Sequence, residues 1–130
     1  MINMKYLQEG NFIKFDEHPG VDIGIGDVVH LSGNNEVNRA SSASGSTAYP
    51  AIGLVFEYDR NTDIVPVVTD GVLSDAVTGG WTYGQRIYLG TGGNLTNTKP
   101  SSPGTIVQLI GVAKNATDLL LNINSEAVVN

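Results

Sequence analysis

Residues 84–113 read GQRIYLGTGGNLTNTKPSSPGTIVQLIGVA. The glycines at 90, 92 and 93 admit two readings, a loop that cradles phosphate or a tight hairpin turn. A phosphate loop needs a strand feeding directly into the N-terminus of a helix, where free N–H groups face the anion. Here Gly92-Gly93-Asn94 runs into Leu-Thr-Asn-Thr-Lys-Pro, which has no helical period. A hairpin is therefore expected, with Gln85–Leu89 as one strand and an extended run restarting at Leu95.

The same pattern occurs upstream. Residues 26–55, GDVVHLSGNNEVNRASSASGSTAYPAIGLV, align without a gap at an offset of 58. Gly26 meets Gly84, Leu31 meets Leu89, Ser44 meets Ser102, Thr47 meets Thr105, and Ile52-Gly53 meets Ile110-Gly111. Val29/Ile87, Val37/Leu95 and Leu54/Val112 are apolar replacements. A further match, Thr62-Asp63-Ile64 with Thr117-Asp118-Leu119, follows after a three-residue length change. The chain thus reads as a duplicated β unit, about 26–70 and 84–123. Gly53 and Gly111 interrupt equivalent strands, as at a bulge or a close approach of another backbone. Pro66 lacks a ladder donor, which predicts an edge strand or a bulge at that point.

Outside the repeat the same character holds. Short runs rich in Val, Ile and Leu alternate with Gly, Ser, Asn and Thr clusters, and no helical period spans 11 residues. The expectation is an all-β fold, a small barrel or sandwich. It comprises a segment 1–20, either an N-terminal arm or a first strand, and a single β domain over 21–130. In that first segment Ile2, Met4, Tyr6, Phe12, Ile13 and Phe15 are apolar and have no duplicated partner. An arm that adds a strand to a neighbour and a first strand of the same barrel look alike at this level.

Composition restricts function. The 130 residues carry a net charge of −6, with only 15% charged residues, 16 glycines and no cysteine. The excess acid lies within residues 1–70. Nucleic-acid binding needs clustered Lys and Arg, so none is expected. No apolar run approaches the length of a membrane span, and nothing at the N-terminus suggests a signal peptide.

The chemistry-bearing residues do not group. His18 and His30 lack metal-ligand spacing, and His30 is the counterpart of Tyr88. Asp59-Arg60-Asn61-Thr62-Asp63, with Asp70 at the twelfth position, begins like a calcium loop. It has Ile64 where such a loop needs glycine, so a polar turn is expected. The serines at 41, 42, 44 and 46 form no nucleophile elbow. Asp16 and Glu17 are adjacent and point to opposite faces of a strand. No catalytic residue, cofactor or metal site is expected. Trp81 and Tyr83, two apart and hence on one face if extended, read either as a contact or sugar platform or as a lid over the junction of the copies.

The segment VPVVTDGVLSDAVTGGWTYGQRIYLGTGGNLTNTKPSSPGTIVQLIGVA resembles capsid decoration (cement) proteins of tailed bacteriophages and related head-fibre base domains. The resemblance is carried by Thr69-Asp70-Gly71-Val72, Gly84, Tyr88-Leu89, Gly92-Gly93, Leu95-Thr96 and Ile110-Gly111-Val112-Ala113, and it covers about residues 64–123. It implies no enzyme. It implies a virion protein made in the host cytoplasm, often a homotrimer, that binds the major capsid protein on the outer face of the head and stabilises the shell. The contact residues expected on that basis are Tyr6, Phe12, Phe15, Trp81 and Tyr83. The alternative is a receptor- or glycan-binding module of a head or tail fibre.

Overall fold

The computed structural model describes residues 6–58 and 64–130, with the backbone alone for residues 6–9. It is all-β. Eleven strands follow one another: β1 (Tyr6–Glu17), β2 (Val28–Gly33), β3 (Glu36–Arg39), β4 (Ala51–Val55), β5 (Ile64–Ser74), β6 (Arg86–Leu89), β7 (Leu95–Thr96), β8 (Ile106–Val107), β9 (Leu109–Ala113), β10 (Leu119–Asn122) and β11 (Val128–Val129). Nine of them form one sheet in the order β1-β3-β2-β4-β5-β10-β9-β6-β7, and β1 also pairs with β5. That extra pairing closes β1, β3, β2, β4 and β5 into a five-stranded barrel. Strands β8 and β11 form a separate ribbon.

The repeat is visible in the hydrogen bonding. Strand β2 pairs with β4 as Val28↔Leu54, Val29↔Gly53 and His30↔Ala51, with a bulge before the last pair. Strand β6 pairs with β9 as Arg86↔Val112, Ile87↔Gly111 and Tyr88↔Leu109, with its bulge at the same step. Every one of these positions is shifted by 58. The entry turn is also copied. Gly24 N–H donates to Asp27 Oδ2, and Thr82 N–H donates to Gln85 Oε1, both at 2.8 Å. The hairpin turn of the second copy holds Gly92 and Gly93 at φ 59° and 85°. Glycine reaches that left-handed region without a Cβ clash, whereas in the first copy Asn35 occupies it at φ 58°.

The match expected between Ile64 and Leu119 is not the one the ladder makes. Val55 faces Val67 and Leu54 faces Val68. In the second copy Ala113 faces Leu119 and Val112 faces Leu120. The counterpart of Leu119 is therefore Val67. Register follows the ladder, and the first connection is longer than the three-residue allowance.

Pro66 is neither at an edge nor at a bulge. Strand β5 has β1 on one side, with Lys14 opposite Pro66, and β4 on the other. Phe56 N–H donates to Pro66 O at 3.3 Å, and the reciprocal bond would need the N–H that proline lacks. That missing bond falls one residue past Val55, where β4 ends, so the ladder loses only its last rung.

Strand β5 joins the two units. Its first half pairs with β4 and its second half with β10, as Leu73↔Leu119 through Asp70↔Asn122. The two copies then pack in one sense. Val28, Leu54 and Val68, from one face of the first copy, share a core with Ile87, Leu89, Ala113, Leu119 and Leu121, from the opposite face of the second. The other face of the first copy, Val29, Val37, Val55 and Val67, fills the barrel with Ile23 and Val65. Each such buried aliphatic side chain contributes about 1.5–3 kcal/mol.

Candidate functional site

Phe12, Phe15, Trp81 and Tyr83 do not converge. Trp81 is 9% exposed and belongs to the core shared by the two copies. Tyr83 is 79% exposed. The expectation of a shared face presumed an extended chain. Residues 82–85 instead form a turn, with Gln85 N–H donating back to Thr82 O at 3.1 Å. One ring is therefore in the core and the other in solvent, so Trp81 takes the lid position and the two form no shared platform.

Phe12 and Phe15 also separate. Three residues apart on a strand, they lie on opposite faces. Phe15 packs against the barrel core formed by Val65, Val67 and their neighbours. Phe12 is about half exposed and meets Phe56 edge-to-face, with ring centroids 5.2 Å apart. The backbone of Tyr6 pairs with Ser74, and its side chain lies outside the described residues.

The geometry around Phe12 forms the candidate site. Strand β1 pairs with β5 from Tyr6 to Asp16, but it pairs with β3 only at Asp16 and Glu17. Among the described residues, no strand covers the other edge of β1 from Gly10 to Phe15. The outward N–H and C=O groups of that edge are those of Phe12 and Lys14, which alternate with Ile13 and Phe15 turned to β5, and beside them stand the exposed side chains of Asn11, Phe12, Ile13 and Lys14. Sequence reading picked Phe12 but passed over Ile13, which is 51% exposed. Alternation carried no signal for it: Ile13 lies two residues from Phe15 and opposite Val67, on the face turned toward the barrel, and it is exposed where no strand lies beyond the edge among the described residues. Asn11 stiffens the start of the edge by donating its N–H and Nδ2 to Asp70 Oδ1, at 3.2 and 3.1 Å.

At the far end of β1 the barrel closes through polar groups. His18 Nδ1 lies 2.7 Å from Glu36 Oε2, and Ser32 Oγ donates to the same oxygen at 2.9 Å. The hydrogen bond from His18, then that from Ser32, holds the Glu36 carboxyl below its usual range, against a smaller opposing effect of burial. Burial lowers the pKa of His30, with a further push from His18. Among the described residues no three His, Asp or Glu side chains gather as metal ligands. The turn 59–63, singled out for its alternating oxygens, lies outside the described residues.

A cleft of about 410 Å³ opens where the copies meet, lined by Ile25, Asp27, Ala76, Val77, Asn94 and Leu95. Its one carboxylate is engaged. Asp27 Oδ2 accepts from Arg39 Nε at 2.8 Å as well as from Gly24 N–H, and Arg39 Nη2 also donates to Asp22 O. The cleft is a seam braced by structural bonds.

No family model and no curated protein matches this chain.

Proposed function

We propose that the chain is a structural virion protein that attaches to the outer face of a bacteriophage head and stabilises the assembled shell. The observation that carries this reading is the unpaired edge of β1, Gly10–Phe15, with Phe12 and Ile13 exposed beside it. An open edge binds an extended segment of another protein by completing the ladder, and flanking apolar side chains supply the specificity. Left solvent-exposed, such an edge is an aggregation hazard that folded proteins normally cover or blunt. The resemblance of residues 64–123 to decoration proteins supplies the class of partner, the major capsid protein. A protein that binds the assembled shell and not its free subunits stabilises the shell by mass action.

The receptor- or glycan-binding alternative needed Trp81 and Tyr83 side by side on the surface. Burial of Trp81 removes that platform, so the capsid reading is the better supported.

Co-sedimentation of the purified chain with undecorated heads tests the proposal. Binding should be retained by Tyr83→Ala and lost on replacing Phe12 with proline, which removes an outward edge donor and an apolar contact together. Heads that never bind the chain, or that bind the Phe12→Pro protein equally well, would overturn it. Electron microscopy of virions labelled through the chain separates head from tail.

A further inference from the structure

The two copies of the repeat leave one face without a cover. In the first copy the face bearing Val28, Leu54 and Val68 is fully buried against the second copy. The equivalent face of the second copy bears Arg86, Val112 and Leu120, by the matching registers Arg86↔Val112 and Val112↔Leu120. It faces out. Leu120 is 40% exposed, Val112 is partly exposed, and Val72 extends the row across β5 as the partner of Leu120. The cause is directional packing. Units that stack in one sense always end with one donor face and one acceptor face unspent, and each end needs a cap. Strand β1 caps the first end by closing the barrel over Val29, Val55 and Val67. Among the described residues no strand caps the second.

We infer that this face, centred on Val112 and Leu120, is covered by further copies of the same chain. Charge identifies the occupant. Arg86 stands at the β6 end of the row, exposed and in no ion pair among the described residues. Asp70 stands at the β5 end, exposed, and shares the face because it lies two residues from Val72 and opposite Asn122. Three strand spacings separate them, roughly 14 Å. A strip with a base at one end, an acid at the other and aliphatic side chains between is complementary to itself. The Arg86 end of one copy meets the Asp70 end of the next, either reciprocally across a twofold axis or head to tail around a ring. A partner of one charge sign would meet repulsion at one end. This face touches the β1 edge only at Asp70, whose Oδ1 accepts from Asn11, and the inference does not rest on the capsid reading.

Sedimentation velocity and light scattering of the full chain test it, with circular dichroism as the check of folding. The wild-type protein should be oligomeric at micromolar concentration. Leu120→Lys should weaken association at least tenfold while melting as a folded protein. Arg86→Glu should weaken it too, and Arg86→Glu combined with Asp70→Lys should restore it, as a charge pair across an interface requires. The charge exchange keeps the test valid even if Leu120→Lys disturbs the sheet. A wild-type protein that stays monomeric at about 100 μM, weaker than any specific interface of use, overturns the inference. So does an oligomer unaffected by all three variants, or one that dissociates only on changes at Phe12 and Ile13. An oligomer that fails to bind heads would sink the capsid reading and leave this one standing.

Discussion

Gly53 and Gly111 occupy the same point in two copies of one strand, and each lies against the backbone of the strand beside it. A Cβ on Gly53 would run into Val68 O and Val67 Cγ1, and a Cβ on Gly111 would run into Leu120 O. Both glycines sit next to the bulge that bends their strand, so the missing side chain lets two backbones close at the bend.

Replacing either glycine with valine should therefore destabilise the fold, although valine ordinarily favours strands. The expected loss is about 1–3 kcal/mol, with Gly53→Val the worse because Val67 Cγ1 crowds it far more closely than Leu119 Cδ1, at 3.2 Å, crowds Gly111. Thermal melting should show drops of roughly 5–10 °C. A rise in Tm at either site would remove the close-approach role there.

Trp81 and Tyr83 should respond oppositely to truncation. Trp81→Ala opens a cavity in the shared core and should cost about 3–5 kcal/mol in denaturant titration. Tyr83→Ala removes an exposed ring and should stay within about 0.5 kcal/mol. Comparable losses at both positions would contradict the turn at 82–85.

Gln108 is buried and ties the copies together. Its Oε1 accepts from Ala51 N–H at 2.7 Å, and its Nε2 donates to Ala51 O at 3.0 Å and to Asn124 O at 2.9 Å. Gln108→Leu keeps the volume but leaves buried backbone groups of Ala51 unpaired, at about 1–3 kcal/mol each. Hydrogen exchange should show the Ala51 amide losing protection in the variant. Unchanged protection would mean that another group satisfies it.

Acid should weaken the fold in two steps of the same sign. His30 has a lowered folded pKa through burial, so the unfolded chain takes up the proton first and stability falls as pH drops below the ordinary 6.5. Glu36 is lowered by its hydrogen bonds from His18 and Ser32, and Asp118 chiefly by the N–H of Asp75. Their contributions are complete above the ordinary values of 4.5 and 3.8 and are lost as pH falls through the lower folded values. Urea titrations from pH 8 to 3 should show His30→Gln flattening the upper step and Glu36→Gln with Asp118→Asn flattening the lower. Stability that rises toward acid would refute the sign.

The amino-acid sequence by itself determined the strands, the hairpin turns and the duplication. Those features rest on local requirements: φ above zero at Gly92-Gly93, short β-branched runs, and glycine at the point of closest approach. These requirements recur at an offset of 58 because both copies meet them in the same way. Which face of each copy became core was decided only in the tertiary structure. Val28, Leu54 and Val68 are buried while their equivalents Arg86, Val112 and Leu120 face out, because units stacked in one sense give identical faces different neighbours. Arginine at 86 in place of valine was a legible trace of that difference. The burial of Trp81 was one of the two readings that the sequence offered; the open edge beside Phe12 and the central place of Pro66 were not legible. Each depends on where β1 and β5 meet strands distant in sequence, and local pattern carries no record of that pairing.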